Sequence, residues 1–210
     1  MIFKICGIKK KDSIICCEAN NVNFYGLIFY EKSPRNIAFK DAKELVNFSK
    51  NLRINPVGVF VNNEINDLKD IITTLNLKYI QLHGDENQDY ISEIKNSFAI
   101  KIIKKFSIKD EKDLIKINDI NNTDYLLFDY KPDQDELPGG NSKSFDWNLL
   151  KDAKIKLPWF VSGGINESNI KKIKKTINPN GIDLSSGVEE SLGKKSNKKI
   201  NNLFKVFYDN

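Results

Sequence analysis

Along the 210 residues the spacing of apolar positions keeps switching between two periods. Short apolar or β-branched runs at Ile2 to Cys6, Phe24 to Phe29, Pro56 to Val61, Tyr79 to His83, Ala99 to Ile103, Tyr125 to Asp129, Trp159 to Ser162 and Gly181 to Ser185 predict eight strands. Between them the period lengthens to about 3.6 residues, the repeat of a helix with one buried face. Ala42, Leu45, Val46 and Leu52 follow the second run, Leu68, Ile71, Ile72 and Leu75 the third, and Ile200, Leu203, Phe204 and Phe207 close the chain. Pro34, Pro56, Pro138, Pro158 and Pro179 fall in connections or at strand starts, where a missing N–H does no harm.

Strands that alternate with helices imply right-handed parallel βαβ units, and eight of them predict an α/β fold closed into a (β/α)8 TIM barrel. An open doubly wound sheet of flavodoxin type is the alternative. The chain is short for a barrel, so most connections must be brief, and the two long ones, 30–39 and 130–146, stand out. No Gly- or Pro-rich linker divides the chain, which predicts a single domain over residues 1–210.

Composition narrows the function. A chain that is 40% hydrophobic and 29% charged is an ordinary folded protein. No apolar run approaches the roughly 20 residues needed to cross a bilayer, and the N-terminus has no signal-peptide pattern, so a cytoplasmic protein without a membrane partner is expected. Cys6, Cys16 and Cys17 form no CxxC pair and His83 is the only histidine, a set that suits neither a disulfide framework nor a metal site; no metal and no cofactor are expected. The net charge of +5 comes almost wholly from dispersed lysines, with Arg35 and Arg53 the only arginines. The run "KKIKK" at 171–175 reads as the solvated face of a helix whose Ile170, Ile173 and Ile177 point inward, and this argues against a nucleic-acid partner.

In such a barrel the chemistry gathers where strands end. Those ends carry Cys6 with Gly7, the segment leading to Arg35, His83 with Gly84, Asp129, Gly163 with Gly164, and Ser185, Ser186 and Gly187. Each has a structural explanation when taken alone: Cys6 as a small buried hydrophobe, Asp129 as a cap, His83 as a satisfied core histidine, the glycines as turns. As a set they would encircle one mouth. Period-two alternation puts Lys4 on the same face as Cys6, inside the barrel, where a buried ammonium needs a partner; Asp183 on the eighth strand is best placed. Backbone N–H groups at Gly163, Gly164, Ser185, Ser186 and Gly187 suit an anion, in the loops where barrels often bind phosphate. A phosphorylated small molecule is therefore the expected partner. Cys6 and Asp129, from opposite sides of the mouth, make a base and acid pair, and Arg35 offers a planar fork to a carboxylate at the substrate's other end.

The segments "KICGI", "FYEKSPRNI", "VGVFVN", "IQLHGDE", "LLFD" with a later "GGNSKSFDW", "SGGIN" and "GIDLSSGVE" run from end to end of the chain and, in this order, resemble the phosphoribosylanthranilate isomerases of tryptophan biosynthesis. The resemblance implies an Amadori rearrangement of N-(5-phosphoribosyl)anthranilate to 1-(2-carboxyphenylamino)-1-deoxyribulose 5-phosphate. It makes Asp129 the general acid and Cys6 the general base. Arg35, His83 and Asp183 become substrate-binding residues, Gly163, Gly164, Ser185, Ser186 and Gly187 the phosphate site. Members of that family are monomers or homodimers. Where the family usually has Gly-Gly-Thr-Gly-Lys, this chain has Asn141 and Ser142 between the glycines and Lys143. For the pair to work, Lys4 and the helix N-termini should lower the thiol pKa while apolar neighbours raise that of Asp129. The rivals are a ribulose-phosphate epimerase-like barrel, whose metal-bound members need paired histidines; a dual-substrate isomerase, which needs an aspartate where Cys6 stands; and a non-catalytic basic barrel that binds RNA.

Overall fold

The computed structural model describes residues 1–115, 117, 121–133, 135, 136, 139, 140 and 143–209. Pro138, Asn141 and Ser142 lie outside them. Eight parallel strands close on themselves: β1 (Ile2–Cys6), β2 (Phe24–Phe29), β3 (Asn55–Phe60), β4 (Tyr79–Leu82), β5 (Lys101–Ile108), β6 (Tyr125–Tyr130), β7 (Trp159–Val161) and β8 (Gly181–Leu184), with β1 paired to both β2 and β8. Closure excludes the open-sheet alternative, since an open sheet would leave β1 or β8 an edge.

The helices on the outside are α1 (Lys11–Ala19), α2 (Phe39–Ser49), α3 (Ile65–Leu75), α4 (Gln88–Ser97), α5 (Glu111–Ile115), α6 (Ile170–Thr176) and α7 (Asn197–Tyr208). They bury the predicted stripes, among them Leu68 and Ile72 on α3 and Ile200, Leu203 and Phe204 on α7. On α6, Ile170 and Ile173 are buried and Lys171, Lys172, Lys174 and Lys175 are exposed, the solvated face that "KKIKK" predicts. Among the described residues the connection from β6 to β7 holds no α-helix, only a 3-10 turn over Trp147–Leu150, whose Trp147 and Leu150 are buried.

Two expectations change. β5 runs on to Ile108 rather than ending at Ile103, because Lys104 and Lys105 are strand residues with their ammonium groups satisfied: Lys104 donates to Gly84 O at 2.8 Å and Glu86 Oε2 at 2.7 Å, and Lys105 to Ser107 Oγ at 2.7 Å. After β8 the chain forms an unpredicted hairpin, β9 (Glu189–Ser191) against β10 (Lys194–Lys195), before entering α7.

Inside the barrel Phe24, Val57, Ile103, Leu127 and Phe160 form a closed apolar plug. Two residues further along the inward-facing rows come Gly26, Lys105, Asp129 and Ser162, because strand side chains alternate. The plug thus forms the floor and the polar row begins the mouth. Below Cys6, Lys4 is fully buried and donates to both oxygens of Asp183, at 3.1 and 2.9 Å, the pairing that the alternation predicts.

Candidate active site

A cavity of about 840 Å³ opens at the C-terminal ends of the strands. Cys6, Arg35, His83, Asp129, Gly163, Gly164, Asp183, Ser185 and Ser186 all line it. Of the predicted set only Gly187 does not; it packs against Ile165, whose carbonyl oxygen would lie 1.9 Å from a Cβ at that position.

Cys6 ends β1 beneath the mouth, with its Sγ where a side chain on Gly26 would otherwise sit: a Cβ there would come within 2.7 Å. Only glycine fits on that neighbouring strand. The thiol departs from expectation. Burial pushes the Cys6 pKa up, and Lys4 offsets this only in part, since its ammonium is shared with Asp183, whose own charge opposes a thiolate. Lys4 itself stays charged: burial works against the ammonium, but Asp183 and Cys6 outweigh it.

Asp129 behaves as the sequence predicts. Burial raises its pKa to about 6, against the opposing pull of the Tyr130 N–H, which donates to Oδ1 at 2.8 Å, and of the Lys105 charge. His83 stands beside it, Nε2 3.6 Å from Asp129 Oδ2, while Gln81 Nε2 lies 2.7 Å from Nδ1. Both ring nitrogens of His83 thus face polar partners, Gln81 on one side and the Asp129 carboxyl group on the other.

The anion loops are open backbone. Gly163 and Gly164 take φ of 90° and 62°, a region that favours glycine, and among the described residues their N–H groups donate to no protein acceptor. Ser185 Oγ donates to Cys6 O at 3.2 Å, which ties the loop after β8 to the end of β1.

Arg35 is the residue whose surroundings sequence reasoning missed. It is buried, and its Nε and Nη2 donate to the two carboxylate oxygens of Glu189 at 2.8 and 2.9 Å. The side-on edge of the expected two-pronged fork is therefore already occupied, and among the described residues Nη1 donates to no acceptor. Glu189 in turn accepts from Lys195 Nζ at 2.6 Å, and Lys195 also donates to Ser185 O and Oγ at 3.1 and 3.2 Å. Glu189 and Lys195 sit on the β9–β10 hairpin, 154 and 160 positions from Arg35, and no local pattern signals so distant a pairing.

Over residues 3–206 the chain matches the family described as N-(5'phosphoribosyl)anthranilate (PRA) isomerase. The chain belongs to that isomerase family. An N-(5'-phosphoribosyl)anthranilate isomerase of Paramagnetospirillum magneticum is 35% identical over 205 residues, 97% of this chain and 95% of that one. The crystal structure of phosphoribosyl anthranilate isomerase from Thermotoga maritima superposes with a TM-score of 0.87 at 29% identity and 98% coverage of both chains. A second isomerase structure, solved in complex with reduced 1-(o-carboxyphenylamino)-1-deoxyribulose 5-phosphate, gives 0.83 at 28% identity, covering 98% of this chain and 97% of that one. Among the described residues no helix is long and apolar enough to cross a membrane.

Proposed function

We propose that this chain, with residues 1–210 acting as one unit, converts N-(5-phosphoribosyl)anthranilate to 1-(2-carboxyphenylamino)-1-deoxyribulose 5-phosphate in tryptophan biosynthesis. The observation that carries the reading is that Cys6 and Asp129 line one cavity together with Gly163, Gly164, Ser185, Ser186 and Arg35. Family membership supports the same reaction.

Asp129, whose protonated fraction grows because burial raises its pKa to about 6, delivers a proton to the furanose ring oxygen, and the ring opens to a Schiff base. The Cys6 thiolate then removes the proton on C2 of the sugar, giving an enolamine that tautomerises to the ketone as C1 gains a proton. Gly163, Gly164, Ser185 and Ser186 hold the phosphate through backbone N–H groups. Arg35 Nη1 meets the anthranilate carboxylate, and the His83 ring flanks Asp129. Asp183 acts chiefly by holding Lys4 below the thiol, within the mouth and close to the sugar hydroxyls.

Purified protein added to the fluorescent substrate, with no metal added, is expected to abolish the fluorescence at a rate proportional to enzyme. A signal that decays only at the uncatalysed rate would rule the reading out.

A further inference from the structure

A charge imbalance surrounds Arg35. Two cations, Arg35 and Lys195, share a single carboxylate, Glu189, and all three are buried or nearly so. The charge of Glu189 is firmly held: burial works against it, yet Arg35 and Lys195 bring its pKa down to about 2. Among the described residues these two cations share that one carboxylate, and burial, with the Arg35 charge beside it, pushes the Lys195 pKa down, so an added anion near the pair would be favoured.

Arg35 runs between two glycines with φ of 82° and 75°, Gly7 and Gly140. A Cβ on Gly7 would lie 3.1 Å from Arg35 Cβ and Cδ, and one on Gly140 would lie 2.2 Å from Nη1. Glu189 takes Nε and one proton of Nη2, and Gly140 O accepts from Nη2 at 3.3 Å. Nη1 has no acceptor among the described residues, and Arg35 lines the cavity. An arginine with four rotatable side-chain bonds has many ways to face a mouth; Glu189 selects one.

We infer that Glu189 is the positioning residue that turns the Arg35 guanidinium so that its Nη1 end recognises the carboxylate of the aryl amine, making Glu189, which need not touch substrate, a determinant of specificity. This rests on the function proposed above. The β9–β10 hairpin is then part of the recognition apparatus: Gly193 N donates to Glu189 Oε2 at 3.2 Å, and Lys195 holds Oε1.

The test compares two substrates, N-(5-phosphoribosyl)anthranilate and its carboxylate-free analogue N-(5-phosphoribosyl)aniline, with wild-type enzyme and Glu189→Gln. The kcat/KM ratio between them measures carboxylate recognition alone, so a variant that merely loosens the fold lowers both values together. Glu189→Gln is expected to lower the ratio about ten-fold or more, mainly through KM for the anthranilate compound. Glu189→Asp keeps the charge that Arg35 and Lys195 require for folding but stops about 1.5 Å short of the two nitrogens, and the same fall in ratio is expected. An unchanged ratio in a folded variant overturns the inference while wild-type turnover leaves the isomerase reading standing. Absence of wild-type turnover sinks both.

Discussion

Asp129 and Cys6 were placed as a pair by their positions at strand ends, but their protonation states were only half legible. The carboxyl group follows the simple rule: Leu127 and Phe128 carry it into the interior, and burial raises its pKa to about 6. For the thiol the same burial outranks the lysine beneath it, because Lys4 is already held by both oxygens of Asp183. The working form, thiolate with carboxylic acid, is then a minor fraction of the enzyme. For such reversed protonation kcat/KM rises with pH to an apparent pKa near 6, runs flat, and falls only above the usual thiol range, the macroscopic values belonging to the pair. Steady-state rates from pH 5 to 10 check this, and a rising limb centred well above 6 would contradict the assignment of Asp129.

At the scale of elements, β1 and β2 have the bounds that the apolar runs predict, since both are buried almost throughout. The end of β5 was hidden because "KK" looks like a strand's exit; only the fold reveals that Glu86 and Ser107 satisfy Lys104 and Lys105. The β9–β10 hairpin was hidden for a related reason: "EESLGKK" lacks apolar alternation, and its Glu189, paired with Lys195 within the hairpin, points at Arg35 from another part of the chain. The Lys4–Asp183 pair, by contrast, was legible from alternation alone. Lys4→Met should destabilise the protein by about 3–5 kcal/mol at neutral pH, because Asp183 is left buried without its counter-charge. Burial already raises the wild-type Asp183 pKa against the pull of Lys4, and removing Lys4 raises it further, so the variant's deficit should shrink as pH falls and Asp183 takes up a proton. Denaturant unfolding at two pH values measures it; an equal deficit at both would contradict the account.

Across the whole molecule, closure of eight strands is what converts scattered motifs into a site. Residues from β1, β4, β6, β7 and β8 meet in one cavity although they lie as much as 180 positions apart, and the plug of Phe24, Val57, Ile103, Leu127 and Phe160 keeps that cavity one-sided. Gly163, Gly164, Ser185, Ser186, Asp129, Cys6 and Arg35, the residues of the proposed site, then line one cavity. The most direct test of this arrangement is kcat for the loss of substrate fluorescence in Cys6→Ser and Asp129→Asn, each checked for native circular dichroism. Loss of an acid or base of this kind lowers the rate by about 10²- to 10⁴-fold, and that is the result expected for each. Turnover within a few-fold of wild type in either folded variant would contradict the proposed proton transfers.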